Sequence, residues 1–262
     1  MPQERIYLDH NATSPLRPEA HDAMLEAMAL DGNPSSVHAE GRAAKAVLER
    51  ARKQVASLVG AEPEQVVFTS GGTEANAMVF RPWFFDERWD DLGDFAGPVA
   101  FVAEFEHPSV LDGLNASSLA FFYEERLPIS DDGVVGVGQA VKAIDDVLAK
   151  TQVMTDTGET DPTPHRSFAA TLMMANNETG VIQPAVEFAE HVRDRPGWFH
   201  CDAVQAIGKV SVDFATSSFA TMSASSHKLG GPKGVGALVF RGNDVLVDEP
   251  MMRGGGQEKR MR

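Results

Sequence analysis

The sequence predicts an α/β protein built on a mostly parallel sheet with helices on both faces. Short apolar runs, typical of buried strands, recur at residues 66–68, 99–105, 169–175, 198–204, 219–223 and 237–240. Helical patterns separate several of these runs. Strands that alternate with helices are typical of parallel sheets covered on both faces. In such sheets, binding sites form at the carboxyl ends of the strands.

The first helix with a clear pattern is predicted at residues 43–59, with charged residues on its outer face. Its apolar positions are Ala44, Val47, Leu48, Ala51, Val55 and Leu58. Gly60 marks the end of this helix. The run at residues 66–68 is followed by Thr-Ser-Gly-Gly, which predicts a buried strand that leads into a turn.

Later in the chain, helices are predicted at residues 140–149 and 185–192. Two segments break the alternation of strands and helices. Residues 81–98 are rich in aromatic residues and Asp, and we interpret them as a surface loop or a short excursion packed on a neighbour. Residues 151–166 are rich in Thr, Asp and Pro, which predicts a long exposed loop.

The composition indicates an acidic globular protein. The 262 residues are 43% hydrophobic, and 38 Asp and Glu against 23 Lys and Arg give a net charge of −15. Because this charge repels phosphate backbones, nucleic-acid binding is not expected. The chain has one cysteine, no signal-peptide core at its start, and no apolar run near the roughly 20 residues of a membrane span. We therefore expect a soluble, cytoplasmic protein without a membrane partner.

A candidate anion site follows the strand at residues 66–68. Residues 70–76, Ser-Gly-Gly-Thr-Glu-Ala-Asn, combine a glycine turn with the start of a predicted helix. The free N–H groups of a helix N-terminus attract anions, and the Thr73 hydroxyl could add a donor beside Gly72. The alternative is a plain glycine turn with a Ser or Thr cap.

A candidate nucleophile follows the run at residues 219–223. Lys228 lies in Ser-Ala-Ser-Ser-His-Lys and precedes a second glycine-rich turn. At such a position an amine is partly removed from water, which lowers its pKa and makes it nucleophilic, as Schiff-base chemistry needs. The alternative is an exposed loop lysine.

Three more strand ends carry polar groups. Asp202 could pair with a protonated ring nitrogen or cap a helix. Asn177 could donate to a ligand or form a turn, and His107 could stack on a planar ring, move a proton or be structural. Cys201 lies inside an apolar run and is predicted to be a buried structural thiol.

Other cofactor classes lack their patterns in this sequence. No G-x-x-x-x-G-K-[ST] motif is present, and Gly136 and Gly138 lack the third glycine of the dinucleotide fingerprint. The eight His and the one Cys have no zinc-type spacing, so no metal is expected. By contrast, an anion turn, a His, an amide, an Asp and a Lys at five strand ends are the groups that a pyridoxal-phosphate site needs.

The sequence resembles the cysteine desulfurase family, a class V aminotransferase-like branch of the fold-type-I pyridoxal-phosphate enzymes. The matching segments occur in the family's order. They are residues 7–15, 32–38, 69–76, 106–107, 176–180, 202–205, 227–228 with 231–234, and 254–258. The resemblance implies a fold-type-I large domain and pyridoxal 5'-phosphate as the cofactor.

The resemblance also implies roles for single residues. Lys228 resembles the Schiff-base lysine, Asp202 the partner of the pyridine nitrogen, and His107 the stacking residue, with Lys228 and His107 catalytic. Gln205 resembles a donor to the ring hydroxyl, and Asn177 a contact to that hydroxyl or to the substrate carboxylate. The residues that resemble phosphate ligands are Gly72, Thr73, Ser225 and His227.

The function implied is transfer of sulfur from L-cysteine, which leaves alanine, for iron–sulfur cluster or thio-cofactor synthesis. We expect a homodimer, with a sulfur-acceptor or scaffold protein as a possible further partner. The alternatives are another class V aminotransferase, a selenocysteine lyase, a catalytically incomplete fragment that binds cofactor or dimerises, and an unrelated nucleotide-binding domain.

We expect residues 1–262 to form an N-terminal segment and the cofactor-binding large domain, without the family's small C-terminal domain. That domain carries the nucleophilic cysteine and an Arg that binds the substrate carboxylate. Cys201 does not match the nucleophile, and Ser226 stands where the family often has Gly or Ala.

Overall fold

A computed structural model of the chain describes residues 5–80, 99–116, 123–149 and 168–242, together with Glu258 and Met261. The two segments predicted as surface excursions, residues 81–98 and 151–166, and the glycines of residues 254–256 lie outside the described residues. Within the described ranges, no helix is both long and apolar enough to cross a bilayer.

The described part of the chain contains seven strands and six α-helices. In chain order the strands are β1 (Val66–Thr69), β2 (Val99–Val102), β3 (Tyr123–Arg126), β4 (Phe168–Thr171), β5 (Gly197–Asp202), β6 (Thr221–Ser225) and β7 (Gly236–Phe240). The helices are α1 (Pro18–Met28), α2 (Ala39–Val59), α3 (Gly72–Val79), α4 (Pro108–Ala116), α5 (Val137–Ala149) and α6 (Ala185–Val192).

The strands form one sheet in the order β1-β7-β6-β5-β4-β2-β3. Neighbours from β6 to β3 pair in parallel, whereas β7 is antiparallel to both β6 and β1. Among the described strands, β7 alone therefore runs against the others. The predicted α/β class and mostly parallel sheet are confirmed, and the carboxyl ends of β1, β2, β4, β5 and β6 lie along one edge.

Helices cover both faces of the sheet. Along β5, Phe199 and Cys201 belong to the core under α2, α5 and α6, whereas Trp198 packs against the core under α3 and α4. This alternation arises because successive side chains of a strand point to opposite faces. The helix at residues 185–192 has the predicted bounds, whereas α2 begins four residues before the predicted start at residue 43 and α5 begins three residues before the predicted start at residue 140. As predicted, Gly60 ends α2, in the left-handed conformation at φ 66°.

Four predicted strands differ from the structure by two residues or more at one end, and one of them, the run at 198–204, leaves the sheet after residue 202. The apolar runs at residues 99–105 and 169–175 leave the sheet after residues 102 and 171, and the first then turns through a hydrogen bond from Glu106 N to Ala103 O. The run at 219–223 begins two residues early, since Phe219 is buried in the core before β6 starts. Burial keeps a segment apolar whether or not its backbone pairs, which is why the pattern misplaced these ends.

Candidate active site

A cavity of about 220 Å³ opens at the carboxyl edge of the sheet. All nine residues that the sequence assigns to the site line this cavity. They are Gly72, Thr73, His107, Asn177, Asp202, Gln205, Ser225, His227 and Lys228. The loops after β1, β2, β4, β5 and β6 bring these residues together because their strands end at the same edge.

One end of the cavity is built from the start of α3 and the end of β6. Gly71 caps α3 without a side-chain hydrogen bond, so the alternative of a Ser or Thr cap is wrong. A Cβ on Gly72 would lie 2.7 Å from Val204 Cγ2, so glycine lets the helix start approach the loop after β5. The first N–H groups of a helix have no acceptor within it. This end therefore offers donors to an anion.

The donors at this end also border a second cavity. Ser225 and His227 line it together with Lys233, which places a cation near the start of α3. Burial lowers the pKa of His227, and the positive charges of Lys228 and Lys233 lower it further. His227 is held by Thr13, whose Oγ1 lies 3.1 Å from His227 Nδ1.

Asp202 ends β5 and is buried in the cavity wall. Its Oδ1 accepts a 2.9 Å hydrogen bond from Val204 N, and its Oδ2 accepts a 2.8 Å hydrogen bond from Asn76 Nδ2. A carboxylate fixed by two donors keeps one orientation. Asp202 can therefore present negative charge to a cationic N–H in the cavity.

Lys228 lies in the 3-10 turn Ser226–Lys228, directly after β6. It is half-buried, and burial lowers the pKa of its amine, while the charges of Asp202, Asp9 and Glu178 act in the opposite direction. A lowered pKa increases the fraction of neutral amine, which is the nucleophilic form. The amine can therefore attack a carbonyl group held in the cavity.

Residues 9–17, here called the N-terminal strap, cross over the lysine loop. Ser14 N donates to His227 O at 2.8 Å, and Ser14 Oγ donates to Lys228 O at 2.9 Å. The carbonyl of Asn11 accepts hydrogen bonds from Lys228 Nζ and from Gln205 Nε2. No role at the site was predicted for the strap from the sequence, although residues 7–15 carry part of the resemblance.

The side-chain amide of Gln205 and the backbone of Asn177 both contact the strap. Gln205 Oε1 accepts a 2.5 Å hydrogen bond from Lys209 Nζ, which leaves the amide nitrogen as the group turned toward Asn11. Asn177 contributes its backbone carbonyl oxygen, which accepts a 3.0 Å hydrogen bond from Asn11 Nδ2. Its side-chain amide donates to Glu178 Oε1 and lines the cavity.

His107 ends the loop between β2 and α4, directly before the first residue of that helix. Its Nδ1 lies 2.7 Å from Ser109 Oγ and accepts from Ser109 N at 3.1 Å. His107 is an exposed residue and lines the cavity. Stacking on a planar ligand and proton transfer through Nε2 are both compatible with this position.

Two buried acidic groups lie behind the cavity. Burial raises the pKa of the Glu106 carboxyl well above its ordinary value, and the charge of Asp202 raises it further. Cys201 is fully buried, and burial likewise raises the pKa of its thiol. The prediction that Cys201 is a buried structural thiol is confirmed.

Five further residues of the cavity wall were not predicted from the sequence. They are Asn76, Ser109, Met173, Ala175 and Val204. Asn76 could have been found from its spacing, because it lies four residues after Gly72 and therefore on the same face of α3. Ser109 could not, since its place depends on how the loop after β2 folds back.

Comparison with known proteins agrees with this architecture. The sequence model of the family "Aminotransferase class-V" matches residues 6–165 and 163–262. The mouse protein named cysteine desulfurase is 36% identical over 261 residues, which are 98% of this chain and 51% of the mouse protein. The chain therefore spans about half the length of this curated relative.

Two solved structures are similar over nearly the whole chain. A NifS-like protein matches with a TM-score of 0.81 and 29% identity, covering 99% of this chain and 65% of the other. SspA in complex with cysteine matches with a TM-score of 0.81 and 26% identity, covering 98% and 67%. The predicted fold is confirmed, and the chain belongs to the class-V aminotransferase family, with cysteine desulfurases among its relatives.

Proposed function

We propose that this chain is the cofactor-binding part of a pyridoxal-phosphate-dependent cysteine desulfurase, which takes sulfur from L-cysteine and leaves alanine. One observation carries the proposal. The amine of Lys228, the carboxylate of Asp202 and the anion-binding start of α3 line a single cavity. The relatives named cysteine desulfurase and the solved complex of SspA with cysteine support the choice of substrate.

The residues present fit pyridoxal phosphate. Its phosphate suits the donors of Gly72, Thr73, Ser225 and His227, in a cradle that a Cβ on residue 72 would fill. Its aldehyde suits the Lys228 amine. When bound, the cofactor supplies an electron-withdrawing ring that makes bonds of an attached amino acid labile.

The other residues orient and balance the charge of the site. With the cofactor bound, the negative charge of Asp202 would favour a proton on the ring nitrogen, and Gln205 Nε2 would donate to the ring hydroxyl. His107 would stack on the ring and exchange a proton through its imidazole. Lys228 would accept and return a proton at Nζ, since burial lowers the pKa of its amine and increases the neutral fraction. Asn177 would bind the ring hydroxyl or the substrate carboxylate.

Sulfur transfer needs an accessible thiol that attacks the substrate sulfur. Cys201 is unsuited to this step because it is buried and its raised pKa keeps it protonated. We propose that the acceptor thiol lies outside these 262 residues or on another protein, since Cys201 is the one cysteine among them. Iron–sulfur clusters or thio-cofactors are then the destination of the sulfur.

The proposal also includes a cytoplasmic homodimer. Helix α1 has no buried residue, and its Leu25 and Met28 side chains are 54% and 73% exposed. Apolar side chains at this exposure favour a protein contact. Light scattering after size-exclusion chromatography measures the mass of the chain in solution. A purely monomeric mass would contradict this part of the proposal.

The experiment adds pyridoxal phosphate to the purified chain and records visible absorbance, followed by borohydride reduction and peptide mass spectrometry. We expect a new absorbance band and a modified Lys228. Lys228→Ala should lose both, whereas Lys142→Ala, a change of an exposed lysine on α5, should keep both. A band that persists in Lys228→Ala would contradict the assignment of the lysine. Alanine release from cysteine then tests the reaction.

A further inference from the structure

A chain of buried polar side chains lies between the sheet and α3, behind the cavity. Thr221 on β6 and His200 on β5 are paired in register, and both are 0% exposed. His200 Nδ1 lies 2.9 Å from Thr221 Oγ1, and His200 Nε2 lies 3.0 Å from Asn76 Oδ1. Asn76 is 1% exposed and reaches Asp202. Buried polar groups that are all partnered specify one arrangement.

The carboxylate of Asp202 sets the direction of the hydrogen bonds in this chain. A carboxylate only accepts, so the group of Asn76 that faces Asp202 Oδ2 at 2.8 Å must be its NH₂. The same NH₂ donates to Ser109 Oγ at 2.9 Å. The amide oxygen of Asn76 therefore faces His200, and His200 Nε2 must carry a proton to donate to it.

The donor and acceptor roles of the remaining side chains then follow. Burial lowers the pKa of His200 to about 3, so at neutral pH the ring is uncharged and carries one N–H. With that proton on Nε2, Nδ1 accepts from the Thr221 hydroxyl. On the other branch, Ser109 Oγ accepts from Asn76 and donates its own proton to His107 Nδ1 at 2.7 Å.

We propose that His200 and Asn76 are positioning residues. The Nε2–H tautomer of His200 locks the Asn76 amide in one orientation. The amide in turn orients Asp202 directly, and His107 through Ser109, toward the cofactor. The inference rests on the proposed function, because the oriented groups are those assigned to the ring nitrogen and the ring face. Neither His200 nor Asn76 has a role in the sequence analysis.

This fixed orientation of the Asn76 amide, here called the lock, would be weakened if the hydrogen-bond donor of His200 were lost. The amide oxygen of Asn76 would then be buried without a donor, and the amide would be held only through its NH₂. The hydrogen bonds that this NH₂ donates to Asp202 Oδ2 and to Ser109 Oγ would be less firmly fixed, although Val204 N still donates to Asp202 Oδ1. Two groups that face the cofactor would become less ordered, although the sheet that carries them stays intact.

Two substitutions of His200 separate this role from simple packing. In His200→Gln, the amide nitrogen reaches the place of Nε2 and keeps a donor for Asn76. In His200→Asn, the shorter side chain reaches only the place of Nδ1. Both changes remove the ring that packs edge-on against Phe80 at 5.7 Å, so both lose the same aromatic contact.

The first measurement is the dissociation constant of pyridoxal phosphate by absorbance titration, with unfolding midpoints recorded alongside. We expect His200→Asn to raise the dissociation constant about tenfold, as for one hydrogen bond to a charged group. His200→Gln should stay within about twofold of the parent chain. Equal effects of the two variants, or effects that follow their unfolding midpoints, would overturn the inference.

The second measurement is independent of the cofactor. Nitrogen-15 spectra of the histidine-labelled chain report which ring nitrogen of His200 is protonated, with the resonance assigned by its loss in His200→Gln. We expect the Nε2–H tautomer, and an Nδ1–H tautomer would overturn the inference. If the parent chain binds no pyridoxal phosphate, the proposed function fails, and the tautomer still decides whether the lock exists.

Discussion

The guanidinium of Arg52 on α2 holds the carboxylate of Glu258 in a two-bonded ion pair, from Nη1 to Oε2 at 2.8 Å and from Nη2 to Oε1 at 2.9 Å. The side chains are 5% and 9% exposed. The pair also satisfies the open edge of β1, because Arg52 Nη1 donates to Val66 O and Glu258 Oε2 accepts from Phe68 N. These hydrogen bonds hold β1, the strand that leads into the glycine turn, in place.

Breaking this pair should be costly. Arg52→Met would leave the Glu258 carboxylate and the Val66 carbonyl buried without their cation, and we expect a loss of about 3 kcal/mol in the free energy of unfolding. Chemical denaturation measures this loss. Arg50→Met removes an exposed arginine of the same helix and should change the free energy of unfolding by less than about 0.5 kcal/mol. Adding Glu258→Gln to Arg52→Met should cost less than the sum of the two single changes.

Glu106 should make the folded chain less stable as the pH rises. Burial raises the pKa of its carboxyl, so the folded chain keeps a proton that the unfolded chain releases near its ordinary pKa of 4.5. The free energy of unfolding therefore falls from pH 4.5 upward until the raised pKa is passed, by at most about 1.4 kcal/mol per pH unit.

Denaturation across a pH series tests this dependence. Glu106→Gln imitates the protonated acid, so its stability advantage over the parent chain should grow with pH above 4.5. Glu104→Gln, a change of an exposed neighbouring carboxyl, serves as the matched control. A constant difference between Glu106→Gln and the parent chain would show that Glu106 is ionised when folded.

The thiol of Cys201 should not react in the folded chain. Burial raises the pKa of this thiol, and the charges of Asp202 and Glu106 raise it further, so little thiolate exists and reagents lack access. We expect Ellman's reagent to detect no thiol before unfolding and one after it, in line with the single cysteine of the sequence.

An exposed thiol provides the control for that assay. Cys201→Ala combined with Ser35→Cys places the only thiol at an exposed position before α2, and it should react at once in the folded chain. Rapid reaction of the parent chain, at a rate near that of the control, would contradict the burial of Cys201.

Gly236 should be intolerant of a side chain. A Cβ at this position would lie 2.5 Å from the backbone carbon of Gly71 and 2.8 Å from Ala224 O, and backbone atoms cannot move aside as a flexible side chain can. We expect Gly236→Ala to lower the free energy of unfolding by about 2 kcal/mol and to weaken phosphate-end binding of pyridoxal phosphate.

Gly138→Ala is the matched comparison. A Cβ at Gly138 meets no heavy atom within 4 Å, and the residue lies at the start of α5, where alanine is favoured. The unfolding free energy should be unchanged or slightly higher. Similar losses in both variants would mean that the close approach of β7 to the glycine turn is not the cause.

Much of the fold was predictable because burial and periodicity are local properties. The apolar spacing at residues 185–192 was enough to predict that helix. Gly60 was enough to predict the end of α2, because glycine readily adopts the left-handed conformation found there. The reversed direction of β7 was not predictable, since a short apolar strand pairs equally well in either direction. Strand β3, whose residues Tyr-Glu-Glu-Arg carry three charges, was missed because it lies at the sheet edge, where apolar residues are not required.

The sequence by itself determined the chemical types at the site: an amine, a carboxylate, an imidazole, amides and a glycine-rich anion turn, each directly after an apolar run. Tertiary structure alone decided how those groups are held. Asn11 lies more than 200 residues before Lys228, and His200 reaches Asn76 across 124 positions, in contacts that no local pattern encodes. The reason is that the ends of strands can be located from the local periodicity of the sequence. Hydrogen-bond partners, by contrast, depend on which elements the sheet brings together.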